Sequence, residues 1–191
     1  NKQLSIIVPV YNEVETVLIL LNKLIKLNLY NNFTSEIIVV DDNSTDGTKE
    51  LLTNFEKETL NTNIKFIYKS KNSGKGSSQK LAIPLCNGDF TIIQDADLEY
   101  NVNNINSLLK LMVDSNYDAV LGYRKLANTK IYSAYFFFHK LAIFTLTFLT
   151  NILYGSNFKD VCTCYRMIKT PILKSFKING ERFEYDFSMI N

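Results

Sequence analysis

Phe90-Thr91-Ile92-Ile93-Gln94-Asp95-Ala96-Asp97-Leu98-Glu99-Tyr100 is the stretch on which the reading of this chain turns. An apolar run of strand length stops abruptly at two carboxylates spaced i, i+2, with a third acid at Glu99. In an open α/β sheet, ligands bind just beyond the carboxyl ends of the strands. Asp95 and Asp97 therefore stand where a strand would aim them at a shared ligand. Hard oxygen donors on one short turn suit Mg²⁺ or Mn²⁺, which take one or two carboxylates together with substrate phosphates. The competing reading is a solvated acidic turn that caps the next helix, and the rest of the chain decides between the two.

Outward from that turn, strand patterns alternate with helix patterns. Leu4 to Val10 is an apolar strand leading into Tyr11-Asn12, and Glu13 to Leu29 carries Val17, Leu20, Leu21, Leu24 and Leu27 at helical spacing. Glu36 to Val40 is a second strand of the buried type, followed by Asp41-Asp42-Asn43-Ser44-Thr45-Asp46-Gly47 and a helix over Thr48 to Glu58. Ile64 to Tyr68 is a third strand, Lys71 to Ser77 a glycine-containing loop, and Ser78 to Cys86 a short helix. After the acidic turn come a helix over Asn101 to Asp114 and a short strand over Ala119 to Gly122. Such alternation predicts an α/β fold with a mostly parallel, Rossmann-like sheet and helices on both faces. No repeat, linker or low-complexity run divides the chain, so residues 1–191 are expected to form a single domain.

The totals narrow the function classes. At 191 residues there is core enough for one large α/β domain, and 46% hydrophobic with 21% charged residues is an ordinary globular balance. A formal net charge of +2 argues against nucleic acid as a partner, which would want a strongly basic face. Three cysteines (Cys86, Cys162 and Cys164) and one histidine, with no C-x-x-C pair, disfavour a disulfide framework or a zinc site. A reducing, cytoplasmic setting follows. No signal peptide precedes the first strand, and Phe187 to Asn191 reads as a helix cut partway, so the chain is expected to be part of a longer protein.

Tyr132 to Tyr154 departs from the amphipathic pattern because it is apolar nearly all round. Its length would cross a bilayer, but His139 and Lys140 fall in its middle third. A charge at that depth costs about 2.5–3.5 kcal/mol. Helices that cover the sheet, or an interfacial pair with one face against lipid, fit better. Packing or an interfacial place, rather than catalysis, is the expectation for His139.

Four separated pieces fall at the same edge of the sheet. They are Val8-Pro9-Val10-Tyr11-Asn12-Glu13, the Asp41 to Thr48 loop, Asn72-Ser73-Gly74-Lys75-Gly76, and the Asp95/Asp97 turn. Singly, each has a plain structural explanation. Glu13 favours a helix start, Asp42, Ser44 and Asp46 make turns and N-caps, and glycines permit tight turns. Together, at the carboxyl ends of successive strands, they point to one site.

The motifs V-P-V-Y-N-E, V-D-D-N-S-T-D-G-T, G-K-G and Q-D-A-D-L-E resemble glycosyltransferase family 2, with its GT-A nucleotide-sugar-binding fold. Gly122-Tyr123-Arg124, Leu149 to Gly155, Asp160 to Arg166 and Arg182 to Asp186 follow in the order seen in dolichyl- and polyprenyl-phosphate sugar synthases. The resemblance covers Leu4 to about Ile190. It implies that Pro9, Tyr11, Glu13 and Asp42 hold the donor nucleoside, with Asp42 facing the base and Lys75 in the loop beside it. Asp95 and Asp97 match the metal-diphosphate motif, and Glu99 matches a further metal-proximal position. Arg124 and Arg166 match basic residues near the donor diphosphate and the acceptor phosphate, and Glu184 and Asp186 lie in a segment that approaches the acceptor. Two departures fall on the acceptor side. Ala142-Ile143-Phe144 stands where relatives often carry a Gly-Asn-Arg-like run, and Ser188 where an acid is common.

These residues suit sugar transfer, because a departing nucleotide diphosphate develops negative charge that a divalent ion and fixed cations neutralise. The expected activity is inverting, metal-dependent transfer of a hexose from a UDP-glucose- or GDP-mannose-type donor to a polyprenyl or dolichyl phosphate, at the cytosolic face of a membrane. A phosphate acceptor is largely dianionic at neutral pH and needs no base. A saccharide or protein hydroxyl acceptor, the alternative within the family, would need Asp186 or Glu184 as base. A noncatalytic nucleotide-sugar-binding module is the alternative of another class. A Rossmann dehydrogenase is disfavoured because no G-x-G-x-x-G follows the first strand.

Overall fold

Continuous apolar runs such as Leu4 to Val10 belong in strands buried on both faces, and that is where the computed structural model places them. The structure describes residues 2–59, 63–122, 134–155, 158–161 and 163–176. In chain order the elements are β1 (Gln3–Val10), α1 (Val17–Ile25), β2 (Thr34–Asp41), α2 (Thr48–Glu58), β3 (Ile64–Tyr68) and α3 (Lys75–Ala82). They continue with β4 (Phe90–Ile93), α4 (Asn104–Ser115), β5 (Ala119–Leu121), α5 (Ala134–Tyr154), β6 (Arg166–Lys169) and α6 (Thr170–Ser175).

The six strands form one sheet in the order β3-β2-β1-β4-β6-β5. β1 pairs in parallel with β2 (Ile7 opposite Ile38) and with β4 (Ile6 opposite Ile92), and β2 pairs in parallel with β3. After β1 the chain builds outward to β2 and β3, then returns to lay β4 on the other side of β1. The carboxyl ends of β1 and β4 thus flank a topological switch point, where open α/β sheets bind ligands.

The period-2 alternation of the strands sorts their side chains onto two cores. On one face Leu4, Ile6, Val8 and Val10 pack with Leu20, Leu21 and Leu24 of α1 and Ile105, Leu109 and Met112 of α4. On the other face Ile7, Ile38, Val40 and Ile93 meet Ala82 of α3 and Leu173 of α6. Each of these large side chains contributes about 1.5–3 kcal/mol relative to leaving it in water.

The mostly parallel sheet expected from the sequence is present, with one element the patterns did not show. β6 lies antiparallel between β4 and β5, with Phe90 opposite Lys169 and Val120 opposite Met167. Its four residues carry only two apolar side chains between an arginine and a lysine, too little for a periodic signal. Met167 and Ile168 are nonetheless buried, one in each core. Helix α1 begins at Val17 rather than Glu13, because residues 13–16 form a turn in which the Thr16 and Val17 amides donate to the Glu13 carbonyl. Helix α3 begins earlier than expected, at Lys75.

Helix α5 occupies the apolar segment. Among the described residues no helix is long and apolar enough to cross a membrane. Phe144, Phe148, Ile152 and Leu153 of α5 are well exposed, while Thr147 is buried and its hydroxyl accepts the Val161 amide at 3.3 Å. Asn151 ties the helix end to Phe158 through both backbone groups of that residue. Cys86, buried, and Cys164, half-buried, are free thiols. The readings made at Tyr123, Arg124, Cys162, Arg182 to Asp186 and Phe187 to Asn191 lie outside the described residues, as do the side chains of His139 and Lys140.

Candidate active site

The carboxyl ends of β1, β2 and β4, joined by the loop after β3, surround a cleft of about 440 Å³. Pro9, Tyr11, Glu13, Asp42, Lys75, Asp95, Asp97 and Glu99 all line it, together with Val10, Ser78, Ala96 and Cys164. A larger surface groove of about 1260 Å³ runs between α1 and Leu98 to Asn106. It shares only Glu99 with the cleft and holds no pair of carboxylates.

Local hydrogen bonds explain why the loops converge. Asn12 adopts φ of 57° and clasps the loop after β2, its amide donating to Ser44 Oγ at 2.9 Å and its Oδ1 accepting the Thr45 amide at 2.9 Å. The Glu13 amide donates to Thr48 Oγ1, and the Val14 amide to Asp46 Oδ2. Asp46 in turn accepts the Thr48 amide and hydroxyl, which caps the start of α2. Burial alone would raise the Asp46 carboxyl, but the Thr48 and Val14 hydrogen bonds outweigh it and hold it below its ordinary value. Ser44 and Asp46, readable from sequence as turn and cap residues, are in this structure the fasteners of Tyr11 and Glu13.

Asp42 is buried, 3% exposed, and heavily engaged. It forms an ion pair with the buried Lys69 ammonium, and it accepts the Ser73 amide on Oδ1 at 3.0 Å and the Gly74 amide on Oδ2 at 2.7 Å. Gly74 has φ of 93°, a backbone conformation that favours glycine and lets two successive amides point at one carboxylate. Sequence reasoning passed over Lys69. The available signal was its place just past β3, at the same sheet edge as the acids.

Lys75 sits 2.5 Å from Asp95 Oδ1, so its ammonium lies at the acid pair rather than beside Asp42. Asp95 is half-buried and Asp97 exposed, and Asp97 Oδ1 accepts the Glu99 amide at 3.0 Å. Between them and Glu99, Leu98 is held at φ of 62°. A left-handed non-glycine residue costs about 1–2 kcal/mol, and such strain clusters at ligand sites. Gln94, fully buried, donates Nε2 to the Asp95 carbonyl, while its Oε1 has no hydrogen-bond partner among the described residues.

The donor set of this turn fits a hard divalent cation. Two carboxylates face one cleft, and a cationic side chain already neutralises one of them. Among the described residues no three His, Cys, Asp or Glu side chains gather into a metal-holding group. Glu99, expected as a third metal-proximal residue, therefore does not gather with Asp95 and Asp97 into such a group. Arg166 is placed differently from these residues. It is buried at the start of β6, donates Nε to the Thr163 carbonyl at 2.8 Å, and is not part of the cleft lining. Arg124 and Asp186 lie outside the described residues.

The mixed, mostly parallel six-stranded sheet with its helices is that of the GT-A fold. The chain belongs to glycosyl transferase family 2, whose model matches residues 5–176, and it is a glycosyltransferase. An uncharacterized protein of Methanocaldococcus jannaschii is 32% identical over 179 residues, covering 90% of this chain and 73% of that one. A dolichyl-phosphate beta-glucosyltransferase of Dictyostelium discoideum is 32% identical over 119 residues, 59% of this chain and 36% of that one. The chain thus spans little more than a third of that relative. Glucosyl-3-phosphoglycerate synthase of Mycobacterium tuberculosis, solved with Mn²⁺, UDP and phosphoglyceric acid, superposes with a TM-score of 0.70 at 15% identity, covering 98% of this chain and 62% of that one.

Proposed function

We propose that the protein transfers one hexose, with inversion, from a UDP-glucose- or GDP-mannose-type donor to a polyprenyl or dolichyl phosphate. The observation that carries this reading is the convergence of Pro9, Tyr11, Glu13, Asp42, Lys75, Asp95, Asp97 and Glu99 on one cleft at the switch point.

Pro9, Tyr11, Glu13 and Asp42 hold the donor nucleoside in this reading. Asp95 and Asp97 hold Mg²⁺ or Mn²⁺, with Glu99 beside them. The bound ion supplies Lewis-acid stabilisation of the departing diphosphate, an effect of several kcal/mol. Lys75, already on Asp95, keeps a fixed positive charge at the same end of the cleft. Arg124 contributes a further cation toward the phosphates. Arg166 acts through its bond to Thr163, next to Cys164 in the cleft wall, as a positioning residue. Asp186 belongs to the acceptor side.

The acceptor half rests on the exposed apolar side chains of α5 and on the lipid-phosphate substrate named for the Dictyostelium relative. A phosphate monoester is largely dianionic at neutral pH and attacks without a base. In this reading the protein works at a membrane surface, on the cytosolic face. Protein incubated with Mn²⁺, radiolabelled donor and polyprenyl phosphate should yield labelled lipid. Label appearing only on soluble saccharides or proteins would refute the lipid half.

A further inference from the structure

Asp95, one of the two acids suited to a divalent ion, already carries a cation of the chain's own. Lys75 Nζ lies 2.5 Å from Asp95 Oδ1, and both side chains are half-buried. Among the described residues that line the cleft, Glu13, Asp42, Asp95, Asp97 and Glu99 are acids and Lys75 is the one base. Asp42 has its own ion pair with Lys69. Lys75 thus supplies the positive charge of a wall that is otherwise acidic.

Helix stability does not explain a lysine at this place. Lys75 is the first residue of α3, where the helix dipole is positive and the first turn holds no acid. A cation there is disfavoured by its own helix, and the carboxylate of Asp95 offsets that cost. The backbone leading into Lys75 is fixed, because the Ser73 and Gly74 amides are both spent on Asp42. What is left to move is the flexible four-carbon stem of the side chain.

A divalent ion and an ammonium on one carboxylate repel each other at short range. A bare ion arriving at Asp95 must therefore work against Lys75. A nucleotide diphosphate removes the conflict, because its oxygens offer anionic partners to the ion and the ammonium alike.

Resting on the reading that Asp95 and Asp97 hold Mg²⁺ or Mn²⁺ beside a donor diphosphate, we propose that Lys75 is a built-in counter-ion. It weakens binding of the bare ion at Asp95 and lets the ion in together with the diphosphate. The ammonium passes from the carboxylate to a phosphate oxygen as the donor binds, and no covalent bond changes. Lys75 thereby couples metal binding to nucleotide binding, and the coupling has the same size whichever arrives first.

Calorimetric titration of Mn²⁺ tests this on the unaltered protein, Lys75→Met and Lys75→Arg. Each is titrated alone and with UDP or GDP, whichever binds more tightly. The unaltered protein should bind Mn²⁺ at least about tenfold more tightly with the nucleotide than without it. Lys75→Met should bind the bare ion about fivefold more tightly than the unaltered protein, the worth of a partly exposed ion pair. Its enhancement by nucleotide should shrink by a similar factor, whereas Lys75→Arg, which keeps the charge, should retain weak bare-ion binding. A merely structural ion pair would leave the Mn²⁺ affinity of Lys75→Met unchanged or lower, and that result would overturn the proposal. Melting curves check that the variants are folded. If they are not, the unaltered protein decides, since Mn²⁺ bound equally well with and without nucleotide would also overturn it. Failure of both nucleotides to bind, or of Mn²⁺ to bind beside them, would overturn the donor-site reading and this proposal with it.

Discussion

Asp97 is exposed and accepts the Glu99 amide, whereas Asp95 is half-buried against Lys75. Substituting each therefore separates chemistry from stability differently. Asp97→Asn should lower kcat about 100-fold or more, the size of effect seen when one preorganised charge-stabilising group is lost. Its melting temperature should stay near that of the unaltered protein, since exposed substitutions fall within about 0.5 kcal/mol. Donor turnover with Mn²⁺ and a thermal melt make the comparison, and unchanged turnover would remove the acid pair from the reaction. Asp95→Asn should lose activity likewise and also leave the Lys75 ammonium without its carboxylate partner. Leu98 illustrates why local sequence rules fail at such a turn. Nothing in a leucine announces φ of 62°, and the conformation persists because the surrounding fold over-determines it.

The turn is aimed by β4, and β4 is anchored at its opposite end. Buried Glu36 of β2 accepts from Ser5 Oγ, from the Asn87 amide and side chain, and from the Gly88 amide. A Cβ at Gly88 would lie 2.6 Å from the Ser5 nitrogen and 2.8 Å from the Gln3 oxygen, so Gly88 lets the chain pass against β1 before it enters β4. Gly88→Ala should destabilise by about 1–3 kcal/mol, measurable by denaturant titration, because backbone rather than a flexible side chain must yield. Burial tends to raise the Glu36 carboxyl, but the Ser5 and Asn87 hydrogen bonds and Lys65 lower it below its ordinary 4.5. A carboxyl lowered on folding stabilises above its unfolded pKa, and that contribution is lost as pH falls through the folded value. Glu36→Gln should therefore cost about 1–3 kcal/mol at neutral pH and flatten the acid limb of the stability curve below pH 4.5. An acid limb identical to that of the unaltered protein would show that Glu36 does not carry it.

Two properties belong to the assembled molecule. The cleft draws on loops from four parts of the chain, so a donor bound there holds them together and favours the folded state by mass action. UDP with Mn²⁺ at 100 times its Kd should add about 2.7 kcal/mol of apparent stability, visible as a rise in melting temperature. On α5, Phe144 and Phe148 are 67% and 53% exposed and stack with ring centroids 6.3 Å apart. If this face meets lipid, Phe144→Ser with Phe148→Ser should reduce co-sedimentation with vesicles while leaving calorimetric UDP binding intact. Equal sedimentation would take α5 out of the membrane contact.

The chain's own patterning settled the strands β1 to β4, the helices between them and the acids that follow, because period and turn chemistry are written in neighbouring residues. It also told which sheet edge would carry the site, since alternating strands and helices leave their connecting loops at the carboxyl ends. Folding alone settled the rest. Arg166 to Lys169 becomes a strand because β4 and β5 offer it hydrogen-bonding edges on both sides, and no local pattern encodes that pairing. Lys69 becomes a buried partner of Asp42, 27 residues away, and Lys75 becomes a partner of Asp95. Such charge pairs depend on distances that exist only once the sheet is assembled, which is why the cleft's electrostatics had to come from three dimensions.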